Sequence, residues 1–99
     1  MNKHDDRPLP IERLERITRV LRVLTHADRL RICDLLLRGQ RPVGEIADEL
    51  NLRQNVVSQH LNVLRAHEIV VPHREGRQVY YRVIHPGAQW LLDCIARHG

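Results

Sequence analysis

The spacing of apolar residues changes once the chain passes residue 67, and this change restricts the folds that the chain can adopt. Between Ile11 and His67, apolar residues recur at steps of three and four, which is typical of amphipathic helices. Residues 69–84, IVVPHREGRQVYYRVI, instead form two β-branched runs around Arg74-Glu75-Gly76-Arg77, a pattern that predicts a β-hairpin. Helical spacing returns at Pro86. The expected order is therefore four helices, a hairpin and a last helix.

Local signals indicate where the helices begin and end. Gly39 and Asn51 fit helix C-termini, and Pro42 suits the first turn of the third helix. Glu12 and Glu15 each precede an arginine by four residues, a spacing that allows ion pairs along the first helix. Pro72 indicates that the first strand of the hairpin lies at a sheet edge. The expected helices run from residue 11 onward, over about 26–38, 42–50 and 53–67, and from residue 86 onward.

The fourth helix has two faces of different chemistry. On a helical wheel Val57, Leu61 and Leu64 fall within about a third of the circle, so they are expected to face the core. Amide side chains offer both a donor and an acceptor to adenine, and a hydroxyl can take either role. The opposite face, which is short-chained and almost uncharged, carries Asn55, Ser58, Gln59 and Asn62. This face is expected to read base pairs in the major groove.

The neighbouring segments support that interpretation. A short helix, a turn at Asn51-Leu52 and the polar-faced helix together predict a helix-turn-helix. The hairpin that follows has arginines at its tip, which would contact phosphates or the minor groove as a wing. The expected DNA-binding residues are Arg53, Gln54, Asn55, Ser58, Gln59, His60, Asn62, Arg65, Arg74 and Arg77.

Composition narrows the function classes. The formal net charge is +4, and every basic residue except Lys3 is an arginine, whose forked donors match phosphates and guanine edges. No secretory signal and no apolar stretch of roughly 20 residues is present, so a cytoplasmic protein with no membrane partner is expected. The sequence contains no nucleophile–base arrangement, Gly-rich phosphate loop or paired carboxylates, and we therefore expect no enzyme.

Over residues 24–84 the chain resembles the ArsR/SmtB family of winged helix-turn-helix transcriptional repressors. The similarity lies in LTHADRLRICDLLLRG, VGEIADEL, VVSQHLNVLR and GRQVYYRV. It implies a mainly α fold with a β-hairpin wing, in the order α-α-α-α-β-β-α. It also implies a homodimer, joined through the first and last helices, that binds a near-palindromic operator in double-stranded DNA. The expected organisation is a flexible N-terminal arm, residues 1–10, and one DNA-binding and dimerisation domain, residues 11–99.

Many members of the family release DNA when a ligand binds, and this chain matches the family's metal sites only in part. A site on the third helix requires cysteines, and residues 42–47 contain none. At a second site, on the last helix, the resemblance places His85 and His98 at ligand positions and Gly87 where another histidine is usual. Two histidines from each subunit would supply four ligands for zinc or another divalent metal. Otherwise no cofactor is expected.

Two alternatives stay open at this stage. One branch of the family senses oxidants or reactive sulfur through cysteines on the second and last helices, and Cys33 and Cys94 lie on those helices, at earlier positions. Against this redox role, Cys33 would be a small core residue and Cys94 would be buried at the dimer interface. The other alternative is a winged helix that docks onto a partner protein, which the nearly neutral face of the fourth helix would suit.

Overall fold

The computed structural model of the chain describes residues 6–99. Over this part of the chain it contains five helices and three strands, which confirms the expected order and adds one short strand. The elements are α1 (Ile11–Leu24), α2 (Ala27–Arg38), β1 (Arg41–Pro42), α3 (Val43–Leu50), α4 (Gln54–Ala66), β2 (Val70–Glu75), β3 (Gln78–Val83) and α5 (Pro86–His98). The first five positions of the expected N-terminal arm lie outside the described residues. Residues 6–10 belong to no helix or strand.

Capping residues set the limits of the helices. The ring Nδ1 of His26 accepts the N–H of Asp28 at 3.3 Å, so α2 begins one residue later than expected. Asn51 ends α3 with φ 56° and ψ 48°, in the left-handed region that asparagine tolerates. Pro86 lies in the first turn of α5, where the missing N–H has no intrahelical partner to lose. These local contacts explain why the expected limits are correct to within a residue or two.

The sheet differs from the expected hairpin because β1 joins it. The strand order is β1-β3-β2, and both pairings are antiparallel. In β1, Arg41 pairs with Tyr81 and Pro42 with Tyr80. The expectation that Pro42 opens the third helix is therefore wrong: it is the extended N-cap residue, with φ −80° and ψ 164°. β2 is an edge strand, as Pro72 predicts.

Apolar side chains from α1 to α5 and from the base of β2 share one core. The inward residues of α4 are as expected, since Val57, Leu61 and Leu64 are at most 1% exposed. The core residues among those described are Val23, Leu24, Ile32, Cys33, Leu36, Ile46, Ala47, Val57, Leu61, Leu64, Ile69, Val70 and Ala88. The described chain is nevertheless elongated, with extents of 50 × 26 × 22 Å. Its radius of gyration of 15.0 Å exceeds the value of about 13 Å typical of compact domains of this length.

Candidate nucleic-acid interface

The outward face of α4 is the candidate reading face, which we define as Asn55, Ser58, Gln59 and Asn62. Its three amide side chains are exposed and Ser58 is half-buried. The opposite side of the same helix, with Val57, Leu61 and Leu64, is buried in the core. The two faces predicted from the sequence are therefore separated as expected, and the amides are accessible to an incoming ligand.

The turn between α3 and α4 fixes the direction of the reading face. The N–H of Leu52 donates to the carbonyl of Ala47 at 2.9 Å, so the chain folds back tightly after the left-handed Asn51. Arg53 is the N-cap residue of α4 and makes no side-chain cap hydrogen bond. The N–H groups in the first turn of α4 therefore lack a side-chain acceptor. Such groups bind phosphate oxygens well, because they carry the positive end of the helix dipole.

His60 lies beside the reading face, but the structure gives it a contact within the protein. Arg29 Nε donates to His60 Nδ1 at 3.3 Å, and the ring of His26 packs edge-on against His60 at a centroid distance of 4.8 Å. Partial burial lowers the pKa of His60, and the charges of His26 and Arg29 lower it further. A neutral His60 that accepts from Arg29 links α2 to α4. Its expected contact with DNA stays a prediction.

The wing has a short, exposed tip with arginines on both sides. Glu75 pairs with Gln78, so Gly76 and Arg77 alone form the loop, and Gly76 has a φ of 62°. A two-residue hairpin turn requires a positive φ at this position, and glycine adopts it without steric cost. Arg74 and Arg77 are exposed, and neither has an ion-pair partner among residues 6–99. Both guanidinium groups are therefore available to phosphates.

Other arginines turn out to support the helix-turn-helix, a role that sequence reasoning missed. Arg31 Nη2 donates to the carbonyl of Leu50 at 2.8 Å and so ties α2 to the end of α3. Arg41 Nη1 donates to the carbonyl of Leu35 at 2.7 Å, and its Nε contacts Glu49 at the same distance. The sequence shows only an excess of arginine, which by itself indicates a nucleic-acid partner. Part of that excess instead holds α3 in place.

The two thiols lie in different environments. Cys33 is fully buried in α2, and burial raises its pKa to about 12. Cys94, on α5, is half-buried. A redox sensor requires an accessible thiolate. The structure therefore favours the alternative in which Cys33 is a core residue. Cys94 is not buried within the single chain, and its burial at a dimer interface stays a prediction.

Cys33 is expected to resist alkylation until the protein unfolds. In a Cys94→Ser variant at pH 8, iodoacetamide should modify Cys33 at least about 100-fold more slowly in native protein than in guanidinium chloride, because a pKa of about 12 leaves on the order of 10⁻⁴ of the thiol ionised. Peptide mass spectrometry over time measures both rates. The Cys33→Ser variant is the matched control for modification at Cys94. Equal rates for native and unfolded Cys33 would contradict the core assignment.

The candidate metal ligands lie at opposite ends of α5. His85 Nδ1 accepts the N–H of Gly87 at 2.9 Å, so this nitrogen caps the helix. A Cβ at position 87 would come within 2.9 Å of the same ring, which explains a glycine there. His98 is exposed in the last turn. No group of three or more potential ligands occurs among residues 6–99. A zinc site built from residues 6–99 would therefore need histidines from a second subunit, and it stays a prediction.

The two terminal helices expose large apolar side chains. Trp90 on α5 is 65% exposed and Ile11 on α1 is 60% exposed, with Leu14 and Ile95 at about 40%. Several large apolar side chains exposed on two helices that contact each other are typical of an interaction surface. Its position on α1 and α5 is that of the expected dimer interface. None of the helices in the described part of the chain is both long and apolar enough to span a membrane.

Comparisons with known proteins agree with this geometry. Residues 24–73 match a family described as "Helix-turn-helix domain". The matched range contains α3, α4 and the beginning of the wing. The chain is 40% identical over 93 residues to the HTH-type transcriptional repressor SmtB of Mycobacterium tuberculosis. That match covers 93% of this chain and 69% of the repressor.

Solved structures show the same fold. The crystal structure of NolR from Sinorhizobium fredii superposes with a TM-score of 0.80 at 29% identity and covers 92% of this chain and 94% of that one. The homodimeric winged helix-turn-helix DNA-binding domain Mb0332 from Mycobacterium bovis superposes with a TM-score of 0.75 at 30% identity, covering 97% and 87%. Both matches therefore cover more than nine-tenths of this chain.

Proposed function

The chain belongs to the ArsR/SmtB family of winged helix-turn-helix transcriptional repressors, and on that basis we propose that it reads a near-palindromic operator with two copies of α4. The observation that carries the proposal is the exposed, nearly uncharged reading face on a helix whose other side is buried in the core. Among the relatives, SmtB is named a transcriptional repressor and Mb0332 a DNA-binding domain, and the proposal includes no enzymatic activity.

Base readout is assigned to the short polar side chains of α4. Asparagine and glutamine can make two hydrogen bonds to the N6 and N7 positions of adenine, whereas Ser58 can donate or accept. These side chains carry no charge, so they gain no charge–charge attraction to phosphates, whereas their donors and acceptors can distinguish base edges. Sequence discrimination is therefore assigned to Asn55, Ser58, Gln59 and Asn62.

Positioning on the backbone is assigned to charged groups around that face. Arg53 and Arg65 lie at the two ends of α4, and Arg74 and Arg77 at the wing tip; all four are exposed. The uncapped N–H groups at the start of α4 add further donors for phosphate oxygens. Such contacts hold the protein in register without distinguishing sequences. In this arrangement, part of the chain's net positive charge lies against the DNA phosphates.

Dimerisation sets the spacing of the two reading faces. A two-fold axis through the apolar surfaces of α1 and α5 would present both copies of α4 to one side of the duplex. Dimeric helix-turn-helix proteins place their recognition helices about 34–36 Å apart, one turn of DNA. The proposal therefore requires two half-sites separated by one turn. It makes the dimer, rather than the single chain, the unit of recognition.

Replacement of Gln59 by alanine is expected to weaken binding to the preferred operator by about 1–3 kcal/mol and to relax base preference at one position of each half-site. The amide is exposed, so its loss removes hydrogen bonds to DNA without opening the core. Selection of bound sequences from a random pool, followed by fluorescence anisotropy on the recovered operator, measures both effects.

The matched control is Arg77→Gln at the wing tip. It should weaken specific and nonspecific duplexes alike and reduce the slope of log affinity against log salt by about one. Unchanged affinity and base preference in Gln59→Ala would show that α4 does not read bases in this register. If the original chain binds no duplex with a steep dependence on salt concentration, the alternative of a protein-docking winged helix is favoured instead.

A further inference from the structure

A cavity of about 420 Å³ lies between α1, the turn from α4 to β2 and the start of α5. We propose that it is an effector site for a small organic anion with an apolar body, such as an aromatic or aliphatic carboxylate. The volume falls in the range of about 300–1,000 Å³ that is usual for small-molecule pockets. The existence of the site is independent of the proposed function, whereas its effect on DNA rests on that function.

The charges around the cavity select an anion. Arg13, Arg16 and Arg19 line one wall, and Glu68 is the sole carboxylate among the lining residues. The ion pairs expected from the i,i+4 spacing of Glu12 and Glu15 with Arg16 and Arg19 are not formed. None of the three arginines has an ion-pair partner within residues 6–99. A carboxylate in the cavity would accept hydrogen bonds from these guanidinium groups, which form no ion pair within residues 6–99.

The floor of the cavity selects an apolar body. Ile17 and Val20 line it, and both are half-buried rather than sealed in the core. His85 lines the opposite side, and because its Nδ1 accepts from Gly87, its other ring nitrogen carries the proton in the neutral form and can donate. Inorganic phosphate would satisfy the arginines but would leave the apolar floor in contact with water. An organic anion satisfies both parts.

The position of the cavity links the dimer helices to the reading helix. Its walls come from α1, from His67 and Glu68 just after α4, and from His85 at the start of α5. The carbonyl of Ile69 also accepts N–H groups from Ile84 and His85, so the segments that follow α4 and precede α5 are joined directly. A ligand that draws Arg13 and Arg16 inward would therefore change the position of α1 relative to the segment that follows α4.

Isothermal titration calorimetry with the dimer of this 99-residue chain tests the site without DNA. The probes are 2-naphthoate and octanoate, with 2-naphthamide as the neutral analogue and sulfate as the anion without an apolar body. One carboxylate is expected to bind per chain, at least tenfold more tightly than 2-naphthamide and sulfate. The Arg13→Gln/Arg16→Gln variant should bind it at least tenfold more weakly. Arg22→Gln, on the same helix but outside the cavity, should bind it like the original chain.

Fluorescence anisotropy on the operator then tests the link to DNA. The carboxylate that binds should change operator affinity at least threefold for the original chain and for Arg22→Gln, and should not change it for Arg13→Gln/Arg16→Gln. Several results overturn the proposal: no binding of either carboxylate, equal binding of 2-naphthamide, or equal loss in both variants. A double variant that loses operator affinity without any ligand also overturns it, since the arginines would then contact DNA. Failure of operator binding by every protein would count against the proposed function and leave the calorimetric result intact.

Discussion

Replacement of Trp90 by glutamate is expected to dissociate the dimer and to lower operator affinity at least about 100-fold. Trp90 is 65% exposed on a helix whose inner side contributes Ala88 to the core, so in a single chain its ring faces solvent. Buried tryptophans dominate the energetics of many interfaces, with losses of about 2 kcal/mol or more on truncation. A glutamate at this position adds the cost of burying a carboxylate. A 100-fold loss corresponds to about 2.8 kcal/mol.

Sedimentation equilibrium measures the dimer, and fluorescence anisotropy measures operator binding. Gln40→Glu introduces the same charge in the exposed loop between α2 and β1, and it should leave both quantities unchanged. Leu14→Glu, on α1, should reproduce the effect of Trp90→Glu, so the result does not depend on one variant folding well. Circular dichroism checks the helix content of each protein. A Trp90→Glu protein that remains a tight dimer would place the interface elsewhere.

The second large effect is expected in the core. Leu61→Ala should lower the free energy of unfolding by about 2–5 kcal/mol, because Leu61 is 1% exposed and its truncation leaves a cavity under α4. Asn62→Ala, one residue further along the same helix, should leave stability nearly unchanged, since Asn62 is exposed. Operator affinity should respond in the opposite way, with Asn62→Ala weakening binding while the protein stays folded. Urea denaturation and fluorescence anisotropy measure the two quantities.

This adjacent pair tests the orientation of α4 directly. A helix rotates 100° per residue, so a one-residue error in the assignment would exchange the roles of the two positions. Asn62→Ala destabilising the fold as much as Leu61→Ala would contradict the assigned register. So would an Asn62→Ala variant with full operator affinity together with an unaffected Gln59→Ala variant.

The helices and the wing could be predicted from the sequence because local rules determine them. Apolar spacing identified the inner face of α4, and residues such as Asn51 and Gly76 adopt backbone conformations that few other residues tolerate. β1 could not be found in this way. Its two residues form a strand only because β3 is present to pair with them, and a proline among them argued for a helix start instead.

The candidate site shows the same division between local and long-range causes. The accessibility of the reading face follows from helical periodicity, which a sequence displays. The position of His60 against Arg29 and His26 depends on how α2 crosses α4, and no sequence spacing reveals that. The roles of Arg31 and Arg41 were missed for the same reason. Their acceptors are backbone carbonyls on other segments.

The elongated single chain has a consequence for how its activity depends on its abundance. Apolar surface on α1 and α5 remains open to water until two chains meet, so pairing follows mass action. While most chains are still single, the number of pairs rises with the square of the amount synthesised. Occupancy of a regulated site would then respond more than proportionally to a change in expression, giving a threshold without any additional component.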